Sequence, residues 1–548
     1  MTLKIKNLFE PNEQITLEMY LNKCGIDNVN KYIKPPVAVL DDCYIYDNMR
    51  EAVAEVKYHL LNDHKFCIVI DSDNDGISSA YIMYKYIKLQ NPKCKVKMII
   101  QDGKIRGLDS EFIRQQVIDC KPDCLILPDS GTNSAPYTQE LFDNGISLIV
   151  LDHHTPSDEV CKDWGIVVNN QMNQFECNTE LSGCGVTFKF LQALDKEFGT
   201  KYSNRFIDLV GISIVSDSMD VRTYENRWFV KYILDDKEHI TNPFMYELFE
   251  SLGNYNQRDI SFKVVPLINS VIRCGTTKEK QQLFLAFDGK NIDDTVKMCH
   301  HYHQEQMSIV SNFIEYHQAE IDEQANSNIT IIDAKDIPQN FSGLIAGKIS
   351  GITNKPCIVG KTINGELSGS FRGYIPIDIM RTLPSVIFAQ GHNVGAYGIR
   401  LKTQNLPDFR AEIDKMDISI EREVIASYSA NKLQMGLFNE FVGHDDLWGH
   451  GLTTPTFYVY NIKVDSSNIK VLGKKEDTIK LSLNGYDVMF FKLTEEQKEM
   501  FYLNKNVKLN ISIVGKLNIN EYYNKRTNQI IVDDFEIDVV TDSFEDLM

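Results

Sequence analysis

The chain has 548 residues, 43% hydrophobic and 24% charged, which places it among globular proteins with room for three or four packed domains. No run of about 18 apolar residues is present to cross a bilayer, and the opening Met1-Thr2-Leu3-Lys4-Ile5-Lys6 turns polar before a signal-like stretch develops, so we expect a cytoplasmic protein with no membrane partner. The formal net charge of −19 argues against nucleic-acid binding over the whole surface but leaves room for a local basic groove, and twelve cysteines without paired CxxC spacing indicate reduced, buried thiols.

From about Leu61 to Val221, short apolar runs alternate with helical stretches, the pattern of an α/β domain built on a mainly parallel sheet. Phe66-Cys67-Ile68-Val69-Ile70 reads as a buried strand, and Ser78-Ser79-Ala80-Tyr81-Ile82-Met83 opens a helix behind it. Cys124-Leu125-Ile126-Leu127 delivers Asp129, and Ser147-Leu148-Ile149-Val150-Leu151 delivers Asp152. We expect this domain, with an N-terminal helical extension, to fill residues 1–290.

Residues 291–326 lack Gly and Pro and carry Val296, Met307, Val310, Phe313 and Ile314 at helical spacing, which predicts one long connecting helix. A smaller α/β domain follows over 327–410, with strands at Asn328–Ile332 and Pro356–Val359 and a helix opening at Ser342-Gly343-Leu344. A charged helical linker is expected over 411–453. Five strand candidates, at 457–459, 479–483, 488–491, 507–511 and 530–532, then predict an OB-like barrel over 454–548.

Four groups of acids and histidines sit where strands should end: Asp71-Ser72-Asp73-Asn74-Asp75-Gly76, Asp129, Asp152-His153-His154, and Asp217 with Asp220. Carboxylates and imidazoles converging from several strand ends can hold two divalent cations beside a phosphodiester, generating hydroxide and neutralising the leaving oxygen. The Asp-rich loop alone fits a calcium site or a solvated turn equally well, although an EF-hand is excluded because Ile82 stands at the twelfth position. Joined to Asp152-His153-His154 behind another apolar strand, it points to a metal-dependent phosphoesterase. Cys299-His300-His301-Tyr302-His303 suggests zinc, but no second ligand pair lies near, and a solvated helix face accounts for it.

These motifs resemble the DHH phosphoesterase superfamily and, within it, the RecJ-type exonucleases specific for single-stranded DNA. Asp71–Gly76, Leu127-Pro128-Asp129-Ser130-Gly131 and Asp152-His153-His154 resemble the first three family motifs. Gly183-Cys184-Gly185-Val186-Thr187-Phe188-Lys189 is similar to the GAGVAFK segment, and Asp217 with Glu225-Asn226-Arg227 to the fourth metal motif. Ile268-Asn269 with Arg273 resembles the INxxxR segment. Gly343–Lys348, Gly369-Ser370-Phe371-Arg372 and Gly391-His392 resemble the associated DHHA1 substrate-binding domain, and Val514–Asn520 with Ile530–Asp534 the RecJ OB domain.

The resemblance implies that Asp75, Asp129, His153 and Asp217 hold one Mn²⁺ or Mg²⁺, and that Asp73, Asp129 and Asp71 hold a second, with Asp129 bridging. Asp152 either ligates or orients a ligand histidine, and His154 contacts phosphate, so Asp129, Asp152, His153 and His154 form the catalytic set. Asn269, Arg273, Ser370, Arg372, Gly391 and His392 are the candidate phosphate holders; for His392 an exposed loop histidine is an equal reading. In the barrel, Lys516, Lys525 and Arg526 beside Tyr522 and Tyr523, with Lys474 and Lys475, fit stacking and charge contacts to a single strand.

Two departures from the pattern bear on these assignments: Asp220 stands where many relatives have proline, so the fourth ligand is Asp217 or Asp220, and Gln390 replaces a glycine before Gly391-His392. The expected activity is 5′-to-3′ hydrolysis of single-stranded DNA to mononucleotides in repair, recombination or replication, by a monomer working with a single-strand-binding protein or helicase. The rival readings are a DHH-type oligonucleotide or cyclic-dinucleotide phosphodiesterase, and a noncatalytic RecJ-like DNA-binding replication subunit.

Overall fold

The computed structural model describes residues 3–100, 107–157, 160–161, 163–336, 339–393, 395–416, 421–503, 507–522 and 525–540. They form two compact units, Pro36–Ile418 and a second that joins Met1–Pro35 to Ser419–Met548. No helix of the described residues is long and apolar enough to cross a membrane.

The larger unit opens with a five-stranded parallel sheet in the spatial order Val96–Ile100, Phe66–Ile70, Cys124–Pro128, Ser147–Asp152, Ile166–Asn169. Every residue of Phe66–Ile70 and Cys124–Pro128 is buried, as strands covered by helices on both faces require. After Phe66–Ile70 the chain crosses to one side of the sheet, and from Cys124–Pro128 onward it builds the other. The loops leaving these two neighbours therefore diverge, which opens a crevice at their carboxyl ends. The first two acidic motifs leave the sheet at this switch point.

Helical layers follow, including Gly183–Phe198, Ile207–Ser216 and Val265–Cys274, which carries Asn269 and Arg273. The long helix expected over 291–326 is present as Ile292–Tyr316 but stops at His317 and resumes as Gln318–Glu323. A second sheet then runs Thr330–Asp333, Cys357–Ile363, Glu366–Arg372, Ala396–Lys402, Val386–Asn393; its first pair is parallel and the rest antiparallel. One face packs Ile331, Ile358, Phe371 and Tyr397 into a core, with the Phe371 and Tyr397 rings stacked at 4.4 Å. The alternating side chains stand on the other face.

The smaller unit corrects two expectations. The first thirty-five residues are not an extension of the parallel-sheet domain: Lys4–Asn7 pairs in parallel with Glu421–Val424, and Tyr20 packs its ring against Phe441 and Trp448. Residues 411–453 are not a helical linker either. The helix Leu406–Asp414 is followed by the strands Glu421–Val424 and Ser427–Ser429 and a short helix, Gly436–Phe441. The remaining sheet runs Ser427–Ser429, Phe457–Asp465, Lys508–Tyr522, Lys525–Val539, Asp487–Phe490, Thr478–Ser482, Lys470–Leu472. Two of its strands are far longer than expected, forming a hairpin paired from Leu509 with Val539 to Tyr522 with Lys525.

Candidate metal centre and facing cleft

Asp71 follows one central strand, Asp129 the next, and Asp152 ends a third. Asp73 caps the helix Asn74–Gln90 by accepting the Gly76 N–H at 3.0 Å. Asp129 takes the left-handed conformation (φ +61°), unusual for a residue with a side chain, while its N–H donates to the Leu151 carbonyl at 2.8 Å. Gly183 makes room for it: a Cβ there would lie 2.3 Å from Asp129 Oδ1.

His153 stands at the centre. Its Nε2 lies 3.2 Å from Asp129 Oδ1, 3.3 Å from Asp217 Oδ2 and 3.9 Å from Asp75 Oδ2. Three sets of potential metal donors emerge, each with its ligand atoms within 4.8 Å of one another: Asp75–His153–Asp217, Asp71–Asp73–Asp129 and Asp129–His153–His154. Asp129 belongs to two of them. Asp217, not Asp220, joins the cluster, because the Asp220 carboxylate accepts from Arg222 Nε at 2.8 and 3.0 Å.

Asp152 belongs to none of these sets. Its oxygens accept the backbone N–H of Thr132 at 3.1 Å, His153 at 2.8 Å and His154 at 3.3 Å, and lie 2.8 Å from His154 Nδ1. Burial alone would raise its carboxyl, but the two histidine rings and the Thr132 contact hold it well below the usual range. Its contacts run to Thr132 and the histidine pair rather than to the other acids.

The remaining acids are pushed the other way. Burial, followed by the charges of Asp75, Asp73, Asp71 and Asp217, holds the Asp129 carboxyl well above its ordinary value. Burial and the Asp73 charge raise Asp75 to about 6, against the opposing N–H donors of Cys184 and Gly183 and the Ser213 hydroxyl. Buried like charges at this spacing need cations to neutralise them. Carboxylate oxygens with one or two imidazoles, and no thiolate, suit hard divalent ions such as Mn²⁺ or Mg²⁺.

A cleft of about 610 Å³ opens over the cluster, lined on one side by Asp73, Asp75 and Asp217 and on the other by Ser370, Arg372 and Gly391, with Asn269 and Arg273 between. Burial lowers the Arg273 guanidinium while Asp73 supports its charge; Arg372 is lowered by burial and by Arg273. Two guanidiniums disfavouring one another in a half-buried cleft make a seat for an anion. The Ser370 hydroxyl is 2.9 Å from that of Ser342, and Asn269 Oδ1 is buried without a hydrogen-bond partner among the described residues. The side chains of His392 and Tyr522, and Tyr523 altogether, lie outside the described residues.

In the smaller unit, Lys516 pairs with Asp533 at 3.3 Å and Arg526 with Glu521 at 3.5 Å, while Lys474, Lys475 and Lys525 are exposed. No metal-donor set among the described residues includes Cys299 or His303.

Sequence reasoning assigned no role to several residues that shape the centre. Gly183 and Cys184, at the start of a helix capped by Ser182, donate their N–H groups to Asp75 at 2.8 and 3.0 Å. Asn226 Nδ2 donates to the carbonyls of Glu180 and Asp220 at 2.6 and 2.9 Å, tying the approach to that helix to the Asp217 loop. Lys189 and Glu225 form a buried ion pair at 2.5 Å. The serine-glycine step before an amphipathic run was the available signal for the helix start; nothing local announces the contacts of Asn226.

Fold and donor set define a class: an α/β protein with a cluster of acids and imidazoles able to hold metal at the carboxyl edge of a parallel sheet. Residues 65–214 match the DHH family, N-terminal domain, and residues 427–534 match the RecJ OB domain. The SPbeta prophage-derived protein YorK of Bacillus subtilis (strain 168), provisionally named a single-strand DNA-specific exonuclease, is 29% identical over 97% of this chain and 97% of its own. The single-stranded-DNA-specific exonuclease RecJ of the same organism is 22% identical over 90% of this chain and 64% of its own. A crystal structure of RecJ from Thermus thermophilus in complex with Mn²⁺ superposes with a TM-score of 0.72 at 20% identity, covering 92% of this chain and 74% of that one. The chain thus carries a DHH-family domain over residues 65–214 and a RecJ OB domain over residues 427–534, and is similar over nearly its whole length to YorK.

Proposed function

We propose that this protein is a metal-dependent exonuclease that hydrolyses single-stranded DNA from the 5′ end and releases mononucleotides. The observation that carries this reading is that Arg273 and Arg372 line the same cleft as Asp73, Asp75 and Asp217, so a phosphodiester has an anion seat on one side and a metal centre on the other. Asp75, His153 and Asp217 with Asp129 are proposed to hold one divalent ion, and Asp71 and Asp73 with Asp129 a second. Those ions, Mn²⁺ or Mg²⁺, would supply an acidified water and charge neutralisation at the leaving oxygen. Asp152 keeps the histidine pair oriented and His154 meets a phosphate oxygen. Arg273 and Arg372 fix the strand so that the scissile bond lies in line, which converts binding into correct positioning.

In this reading residues 36–290 provide the metal domain, 327–410 the substrate domain, and the smaller unit a guide for longer strands. The smaller unit counts against a phosphodiesterase confined to dinucleotides, and the full set of acids and imidazoles counts against a noncatalytic subunit. The protein is expected to act as a monomer on strands supplied by a single-strand-binding protein or a helicase. The test is digestion of DNA and RNA strands labelled separately at each end, with Mn²⁺ or Mg²⁺. Early release of the 5′-terminal label as a mononucleotide from DNA is expected. Early release from the 3′ end would overturn the polarity, and intact strands throughout would overturn the nuclease reading.

A further inference from the structure

The substrate side of the cleft is the part of the antiparallel sheet's second face left uncovered by the helix Ser342–Thr353. Register sets Arg372 opposite Ala396, Ser370 opposite Gly398 and Ser368 opposite Arg400, while the edge strand brings Phe388 opposite Arg400. A floor of small side chains thus begins at Arg372 and rises at its other end into Phe388 and Arg400. The Phe388 ring is 43% exposed, and the Arg400 guanidinium carbon lies 5.6 Å from its centroid. Arg400 also approaches Glu366 at 3.9 Å, a loose and exposed pairing. Single exposed apolar side chains are ordinary on protein surfaces. This one lines the same cleft as the metal donors and carries a cation beside its ring.

We propose that Phe388, with Arg400, is a stacking platform for a nucleobase of the bound single strand, and so sets which nucleotide beyond the scissile phosphate the enzyme must grip. The four residue steps from Ala396 to Arg400 span about 13 Å at ~3.3 Å per step, so the platform meets a nucleotide further along the strand than the one held by Arg372. An aromatic face and a guanidinium plane accept any base, which suits an enzyme that must advance through every sequence. This inference rests on the nuclease reading above.

The test is a walk of one abasic (tetrahydrofuran) residue along a short oligothymidylate, read as binding with Ca²⁺ and as single-turnover hydrolysis with Mn²⁺. The proteins are the parent chain, Phe388→Ala, Phe388→Trp and Arg400→Ala. One interior abasic position should weaken binding to the parent about 5- to 150-fold, the range for one stacked base, with neighbouring positions nearly neutral. Phe388→Ala should show that loss on the intact strand and little further loss when the same position is abasic. Phe388→Trp should restore binding, and Arg400→Ala should lie between. Because Phe388 is exposed, thermal unfolding of the variants should match the parent. A parent that cuts every strand but ignores the abasic walk, or a Phe388→Ala loss that adds in full to the abasic loss, overturns the platform alone. A parent that leaves intact strands uncut overturns the nuclease reading with it.

Discussion

In the parallel sheet, Phe66–Ile70 and Cys124–Pro128 are buried along their whole length, so no side chain within them can meet a substrate. Chemistry is confined to the residues just past the strand ends, and Asp71, Asp129 and Asp152 all stand there. In the antiparallel sheet one face is core and the other is shared between the helix Ser342–Thr353 and the cleft, so Ser370, Arg372, Phe388 and Arg400 contribute from within the strands themselves. The first arrangement concentrates buried charge at one point. The second spreads moderate contacts along a surface, as the proposed single-stranded substrate would require.

The difference should appear most strongly at Asp129, which joins two donor sets. Asp129→Ala should lower turnover at least about 10³-fold, beyond the 10–100-fold typical of residues behind a metal's ligands. The metal-free variant should unfold no lower than the parent, since the parent's buried carboxyl is held above its ordinary value. Turnover within tenfold of the parent would dissolve the contrast between the two sheets.

Metal withdrawal sharpens the comparison from the side of stability. Asp75 is raised from 3.8 to about 6 in the folded chain, so the metal-free protein has the full contribution of this group below pH 3.8 and loses it as pH rises through about 6. Its unfolding temperature should therefore fall as pH rises from 3.8 to about 6, and saturating Mn²⁺ should remove that fall. Scanning calorimetry with and without chelator reads both. A metal-free protein equally stable across that interval would mean the cluster is neutralised by its own residues.

On the substrate side effects should be smaller and graded. Arg372→Ala should raise KM about 10- to 100-fold, in keeping with the loss of one or two charged hydrogen bonds, and lower the slope of log affinity against log salt by about 0.7. Metal content should stay at the parent's value. An unchanged slope and affinity would remove Arg372 from the strand's path. The smallest effect is expected at Lys516, whose charge is already met by Asp533 at 3.3 Å. Lys516→Ala should weaken binding of long strands less than about threefold, as for a surface ion pair; a tenfold loss by filter binding would make it a principal contact.

Three of the four acidic groups were legible because each lies at the end of an apolar strand, whereas Asp217, expected at a strand end, instead closes the helix Ile207–Ser216. Choosing Asp217 over Asp220 was not legible, since it depends on the Arg222 contact with Asp220. Phe388 lies in Val386-Ile387-Phe388-Ala389, a run that reads as strand core; the register across to Arg400 is what turns the ring into the cleft. The hairpin arms of Lys508–Tyr522 and Lys525–Val539 were read as short strands because Asn518, Asn520 and Glu521 are poor strand formers, kept in the ladder by their cross-strand partners. Lys4–Asn7 carried no signal at all: four residues of mixed polarity cannot name a partner more than four hundred positions away.

That pairing has a consequence for how the protein is made. Lys6 and Glu423, which meet at 3.0 Å, are separated by 417 residues, so Lys4–Asn7 cannot find its neighbour until that whole stretch has been made. At about 5–20 residues per second the delay is roughly 20 to 80 s. The larger unit, Pro36–Ile418, can fold during that interval, whereas the smaller unit must wait for residues from both sides of it. A ribosome that stops early would release a chain whose metal centre is encoded in full and whose N-terminal strand has no mate.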